Sequence, residues 1–385
     1  MFPCSLMLRR GRQVADPRTA ATASAAEPVA RTRLVTSPIA LAAACVAVLA
    51  AACVAVQAAL AADPLDRSRL VPLARTVVRV EAVADGRVRI GTGITIAPGL
   101  LVTNCHVVSG AARVRMLKRG SVWNVVSHHA DGIHDLCYLW APDWSGEPVT
   151  IADPASIRLH QRVAALGYTG GTNLSISDGE VLDLHRHDAA RIVRTTAGFS
   201  SGASGGALVD ETGRLVGVLT FRLPGTRDRF YALPVDWIQR FLAIPDPVFD
   251  PVATASPVRA FWQQDIARLP YFMQAQSLEV ERRWPELADL AGQWQRDDPD
   301  SVEPWIAKGK AMRELGRIDA AVRAFRRAVG VAPEHPDAWF EFGSISLVLA
   351  GSRGADEALT RLESLDPLLA RRLADLIRNN RDPIK

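Results

Sequence analysis

Beyond its first segment the chain has no surplus of charge of either sign. The formal net charge is +4, and residues 1–62 account for it with Arg9, Arg10, Arg12, Arg18, Arg31 and Arg33 against Asp16 and Glu27. The remainder balances, with 39 basic residues (45 less 6) against 39 acidic ones (41 less 2). Nucleic-acid binders carry a basic footprint, so no nucleic-acid partner is expected. Cysteine is also scarce: five in 385 residues are too few for a disulfide framework. An apolar share of 48% with 22% charged residues excludes a disordered or collagenous chain. No metal and no cofactor is expected. His128, His129 and His134 match no standard zinc spacing and read as solvated hairpin residues, and His185 and His187, alternating in a strand, read the same way. The length exceeds one ordinary domain and fits two, with a processed segment besides.

Residues 1–62 read as a leader. Residues 39–62 are uncharged and long enough to cross a bilayer, with arginines ahead of them and none after until Arg67. Small residues close the run, and Ala59-Leu60-Ala61 fits the signal-peptidase rule. The expectation is an exported protein, periplasmic or secreted: the segment is either a cleaved signal peptide or an uncleaved anchor. A membrane is a partner only in the second case.

Two bodies with different periodicities follow. Over residues 70–245 short apolar runs, several alternating with period two, are broken by Asp-Gly, Pro-Gly and Gly-Gly pairs. That pattern predicts a barrel or sandwich, closed by a helix at DWIQRFLAI. Residues 246–265 hold Pro247, Pro251 and Pro257 and read as an extended linker on which the two bodies are separable. From 266 to 380 the period is 34: Tyr271, Trp305 and Trp339 repeat at that spacing, as do Ala275, Gly309 and Gly343, and Pro299, Pro333 and Pro367. This is the tetratricopeptide signature, predicting paired helices and, over residues 368–380, a capping helix.

The chemistry sits in the first body. LLVTNCHVVSGA (100–111), HDLCYLW (134–140) and SSGASGGALVD (200–210) supply His106, Asp135 and Ser204 in that order. A serine hydroxyl needs an imidazole to take its proton, and the imidazole needs a carboxylate to fix its tautomer. Gly202, Gly205 and Gly206 give Ser204 an open backbone, on which the N–H groups of Gly202 and Ser204 can converge as an oxyanion hole.

These segments resemble the chymotrypsin-like serine peptidases, closest to the bacterial HtrA (Deg) branch. TNCHVV resembles its histidine motif, DLCYL its aspartate motif and GASGGALV its serine motif; GYTGGTNLSISDGEVL and FYALPVDWIQRFL agree with the flanking segments. The resemblance covers roughly 70–245. It implies a mainly β double barrel (chymotrypsin-like) with the active site in the cleft, and a serine endopeptidase acting on peptides or proteins. The all-α tetratricopeptide-type repeat domain, read from the 34-residue period, follows it and is expected to bind a protein partner. Ala203 stands where digestive enzymes have an acid, so activation by a freed N-terminus is not implied. Gly198 stands where the trypsin pattern has its specificity acid, so a small uncharged primary pocket is. Arg222, past the VLTF run, either contacts substrate or is simply exposed.

Removal of the leader leaves Cys105 and Cys137. They flank His106 and Asp135, which must meet, and residues 135 and 137 are taken to share one strand face. A Cys105–Cys137 disulfide is therefore predicted, against the alternative of two buried thiols. Two alternatives to the peptidase stay open at this point: a non-enzymatic repeat-based binding protein on a peptidase-like scaffold, and an esterase using the same three residues.

Overall fold

The computed structural model describes residues 65–223, 230–252, 259–348 and 353–381. The leader and its apolar run lie outside them. A short helix, α1 (Arg67–Leu70), leads into β1 (Val77–Ala84), β2 (Arg87–Ala97), β3 (Leu100–Asn104), the one-turn helix α2 (Cys105–Val108), β4 (Arg113–Lys118), β5 (Ser121–Asn124), β6 (Ser127–Asp131) and β7 (Leu136–Trp140). Then come β8 (Arg162–Gly167), β9 (Ser175–His187), β10 (Ala190–Thr195), β11 (Ala207–Asp210), β12 (Leu215–Arg222), β13 (Phe230–Pro234) and the closing helix α3 (Val235–Leu242).

The turns form where the sequence places residues that tolerate positive φ. Asp85-Gly86 joins β1 to β2 with φ of 51° and 71°, the conformation of a tight hairpin turn. β8 to β13 close into a barrel in the order β10-β13-β12-β11-β8-β9. β1 to β7 curl in the order β6-β7-β3-β2-β1-β4-β5 without a continuous closing ladder. Instead Val125 N–H reaches Val114 O (3.1 Å) and Val126 N–H reaches Trp140 O (2.8 Å), so this stretch steps from one end of the sheet to the other.

The 246–265 segment is not a free spacer. β14 (Asp250–Pro251) adds to the edge of the first sheet by pairing with β6. Ala260 and Phe261 are buried, and Phe261 N–H bonds to Ile133 O at 2.9 Å. Prolines keep the chain extended; its aromatic residues nevertheless dock it against the peptidase body.

Seven helices follow among the described residues: α4 (Tyr271–Val280), α5 (Trp284–Asp297), α6 (Glu303–Glu314), α7 (Ile318–Val331), α8 (Pro336–Ser346), α9 (Arg353–Leu365) and α10 (Pro367–Arg381). They make three pairs and a cap. The small residues of the 34-residue period permit close approach: a Cβ on Gly309 would lie 2.4 Å from the Phe325 ring, and one on Gly343 2.8 Å from Ala358 Cβ. The expected separation of the bodies does not hold in the core. Phe272, Met273, Leu287 and Trp294 belong to the same apolar cluster as Tyr231, Leu233 and Trp237 of the barrel side. Polar contacts run alongside: Tyr231 O–H donates to Gln276 Oε1 at 2.5 Å, and His185 stacks on Phe272 (4.1 Å) while bonding Glu303.

Candidate active site

β3 pairs with β7, which sets Asn104 against Leu136 and Thr103 against Cys137. The chain leaves β3 into α2, putting His106 beside the residue that precedes β7. Arg89 of β2 donates to the carbonyls of His106 (3.1 Å) and Ser109, so the exposed end of this short helix is held. Asp135 is buried, at 1% exposure, and adopts φ 58°, a left-handed conformation that aspartate tolerates better than most side chains. It precedes β7, so the expectation that 135 and 137 share a strand face is not met. The cysteines come together through the β3–β7 pairing and the bond from Cys105 N–H to Asp135 O (3.1 Å). They form the disulfide, with Cα atoms 4.8 Å apart.

The Asp135 carboxylate receives three N–H groups. His106 backbone N–H reaches Oδ1 at 2.8 Å, His106 Nδ1 lies 2.7 Å from Oδ2, and Trp262 Nε1–H reaches Oδ2 at 3.2 Å. Burying a carboxylate is costly unless its oxygens are hydrogen-bonded in this way. The bond to Nδ1 fixes the tautomer that leaves Nε2 free to accept a proton.

Ser204 sits on a loop shaped by glycines. Gly202 and Gly205 have φ of 92° and 84°. Gly205 N–H bonds to Leu219 O (2.7 Å) and Ala203 N–H to Ser200 O (3.0 Å). Among the described residues no partner takes the N–H groups of Gly202 and Ser204, which are thus available to an oxyanion. Ser204 Oγ points to Thr220 O at 3.4 Å, not to His106. Thr220 ties the two halves together, since its Oγ1 accepts from Asn104 Nδ2 (2.9 Å) and Asn104 Nδ2 also reaches Asp135 O (3.0 Å).

Three residues near the site went unread in the sequence. Thr92 clamps the serine loop: its N–H donates to Ser204 O (2.8 Å), its Oγ1 donates to Gly202 O (2.7 Å), and that oxygen accepts from Tyr168 N–H (3.0 Å). Its signal was the pair of glycines around it inside a strand, a mark of close backbone approach; a Cβ on Gly91 would lie 2.5 Å from Val107 and 3.2 Å from Ser204 O. Asn104 and Trp262 carried no local signal. Gly198 lies near Phe230 and Ser177, with Phe199 against Phe230 (5.2 Å). Arg222 is exposed at the end of β12.

Of the histidines expected to be solvated, His128 and His185 are buried and His129, His134 and His187 are half-buried. His128 is buried in β6. His129 lies against Phe241 (5.1 Å) and bonds Val248 O. His134 packs on Trp237 (4.0 Å) between Asp131 and Asp188, and His187 packs on Phe261 (4.7 Å). Aromatic neighbours from α3 and the 246–265 segment flank His129, His134 and His187, which a single-strand pattern does not reveal. Among the described residues no group of three or more His, Cys, Asp or Glu side chains is placed to hold a metal.

Two β bodies, with a paired histidine and aspartate linked through Asn104 and Thr220 to a glycine-framed serine, define the class of chymotrypsin-like serine peptidase domains. The trypsin-like peptidase domain family matches residues 91–218, and the tetratricopeptide repeat family matches residues 302–345. The chain is 29% identical over 163 residues to mitochondrial serine protease HTRA2 of Bos taurus, covering 40% of this chain and 35% of that protein. It is 26% identical over 187 residues to serine protease Rv3671c of Mycobacterium tuberculosis (strain ATCC 25618 / H37Rv), covering 41% and 47%. It thus spans a third to a half of the curated relatives' length. Among solved structures, the active form of the M. tuberculosis Rv3671c protease aligns with 50% of this chain and 90% of its own, at 23% identity and a TM-score of 0.46. The chain carries an HtrA-like, trypsin-type peptidase domain followed by tetratricopeptide repeats.

Proposed function

We propose that the chain is an exported serine endopeptidase that cleaves peptide bonds through an acyl-enzyme, with its repeat body engaging a protein substrate or partner. The observation that carries this reading is the His106–Asp135 bond of 2.7 Å on the trypsin-type fold, beside a serine loop with two unspent N–H groups.

In the reaction Asp135 holds the imidazole with Nε2 free. Ser204 Oγ–H rotates from Thr220 O toward that nitrogen, a tightening common between free and substrate-bound sites. Nε2 takes the proton, Oγ attacks the carbonyl carbon, and the N–H groups of Gly202 and Ser204 receive the developing oxyanion, each worth about 3–4 kcal/mol. His106 returns the proton to the leaving amine, and water releases the acyl group by the same steps. Among the described residues Ser177 and Phe230, the neighbours of a Cβ on Gly198, are uncharged, as is Phe199 against Phe230, which supports a small or apolar residue ahead of the scissile bond. The Cys105–Cys137 disulfide is consistent with export, since such bonds persist in oxidising compartments. In this reading residues 39–62 are either removed or retained as an anchor.

A proteome-derived peptide mixture, digested with wild type and with Ser204→Ala and sequenced for new termini, tests the reading. The expected result is a set of termini made only by wild type, following small or apolar residues. Identical termini from both proteins would contradict it.

A further inference from the structure

The two peptidase β bodies do not complete the surroundings of Asp135. Of the three N–H groups on its carboxylate, His106 supplies two, and the third comes from Trp262, 127 positions along the chain and past the closing helix α3. The nearby hydroxyl of Thr220 does not fill this place, because it donates to Val218 O at 2.9 Å while accepting from Asn104. The indole is fixed on several sides. It stacks on Phe221 of β12 (5.0 Å, 14°) and meets the His106 ring edge-on (5.7 Å, 84°). Its neighbour Phe261 is buried, packs against His187 and Trp237, and bonds through its N–H to Ile133 O in the loop ahead of Asp135.

We propose that Trp262 is a positioning residue for the Asp135–His106 pair, so that a segment outside the peptidase barrels helps set turnover. The inference rests on the peptidase reading above. The indole N–H occupies one lone-pair direction of Oδ2 and leaves another aimed at Nδ1; the ring edge limits the swing of the imidazole. Without the N–H the carboxylate rotates about its bond and the pair spends less time in the geometry that delivers Nε2 to Ser204. The chain then continues directly into α4, which shares its core with the barrel. Displacement of the repeat body would therefore move the residue that steadies the pair.

The test uses the full chain and Trp262→Phe, which keeps an aromatic ring and loses the donor. The expected result is a fall in kcat of about ten-fold, the scale of a hydrogen bond to a charged group, with KM within about two-fold. The melting temperature should fall by no more than a few degrees, the scale of one hydrogen bond. A second readout does not depend on activity: the low-field proton resonance of the His106–Asp135 bond, identified by its loss in Asp135→Asn, should shift or broaden in Trp262→Phe. Should that variant fold poorly, replacement of Trp262 by benzothienylalanine, which has sulfur in place of the N–H and the same shape, is expected to give the same two changes. Wild-type kcat together with an unchanged resonance in either protein would overturn the proposal. If wild type neither cleaves peptides nor reacts at Ser204, the peptidase reading fails, and the resonance alone then decides the place of Trp262.

Discussion

At the scale of single residues, the serine loop depends on what cannot be added to it. Gly205 has φ 84°, and a Cβ there would lie 2.1 Å from Thr92 O and 2.3 Å from Thr103 Oγ1, which hydrogen-bond to each other between β2 and β3 beneath the loop. Gly110 also has a positive φ, 68°, but nothing lies within 4 Å of its Cβ position. Gly205→Ala is therefore expected to cost about 3 kcal/mol or more, through strain and a backbone clash together, and to abolish reaction at Ser204. Gly110→Ala should cost only about 1 kcal/mol, for strain alone. Thermal melts of the two variants check the contrast, and equal costs would contradict the clamp around Ser204. His106, Asp135 and Ser204 were legible in the sequence because each sits in a short motif and the chemistry demands those residue types in that order. Thr92, Asn104 and Trp262 were not, because what they do is set by partners far along the chain: Thr92 bonds to a carbonyl 110 positions away and Trp262 to a carboxylate 127 positions away.

At the scale of elements, the join between β3–α2 and β7 carries most of the site. Cys105 N–H, Asn104 Nδ2 and His106 N–H all bond to Asp135, and the Cys105–Cys137 disulfide closes the same join over a sequence separation of 32. A loop of that size stabilises by about 3–4 kcal/mol on chain-entropy grounds. The double variant Cys105→Ala/Cys137→Ala is expected to melt at lower temperature and to label more slowly at Ser204. Peptide mapping without reduction should recover the two cysteine-containing segments as one linked species; separate alkylated peptides would contradict the bridge. The hairpins and paired helices were readable because turn residues and a 34-residue period act locally. The docking of residues 259–263 was not, because proline content describes how extended a segment is and says nothing of what its aromatic residues bury against.

At the scale of the molecule, the peptidase and repeat bodies share an apolar core, and charged contacts cross their boundary. His160, ahead of β8, has its Nε2 3.6 Å from Asp337 at the start of α8 and its Nδ1 3.6 Å from Asp366 ahead of α10. The nearby carboxylate of Asp337 raises its pKa, against burial, and the charges of Asp366 and Glu180 add to the rise. At 3.6 Å both contacts lie beyond hydrogen-bond range, so charge attraction is what acts across them. Because the folded value lies above the ordinary one, this stabilisation is complete below the ordinary histidine pKa and is lost as pH rises through the raised folded value. His160→Gln is expected to lower the melting temperature by ~2 °C at a pH of about 5.5 and to leave it unchanged near pH 9, as calorimetry can check. In this assembled molecule Ser204 is expected to be an activated nucleophile. Labelling with a fluorophosphonate, read by intact mass, tests it most directly. One adduct per wild-type chain is expected, mapped to Ser204, greatly slowed in Asp135→Asn and absent in Ser204→Ala; an unlabelled wild-type chain, or an adduct that persists in Ser204→Ala, would rule an activated Ser204 out.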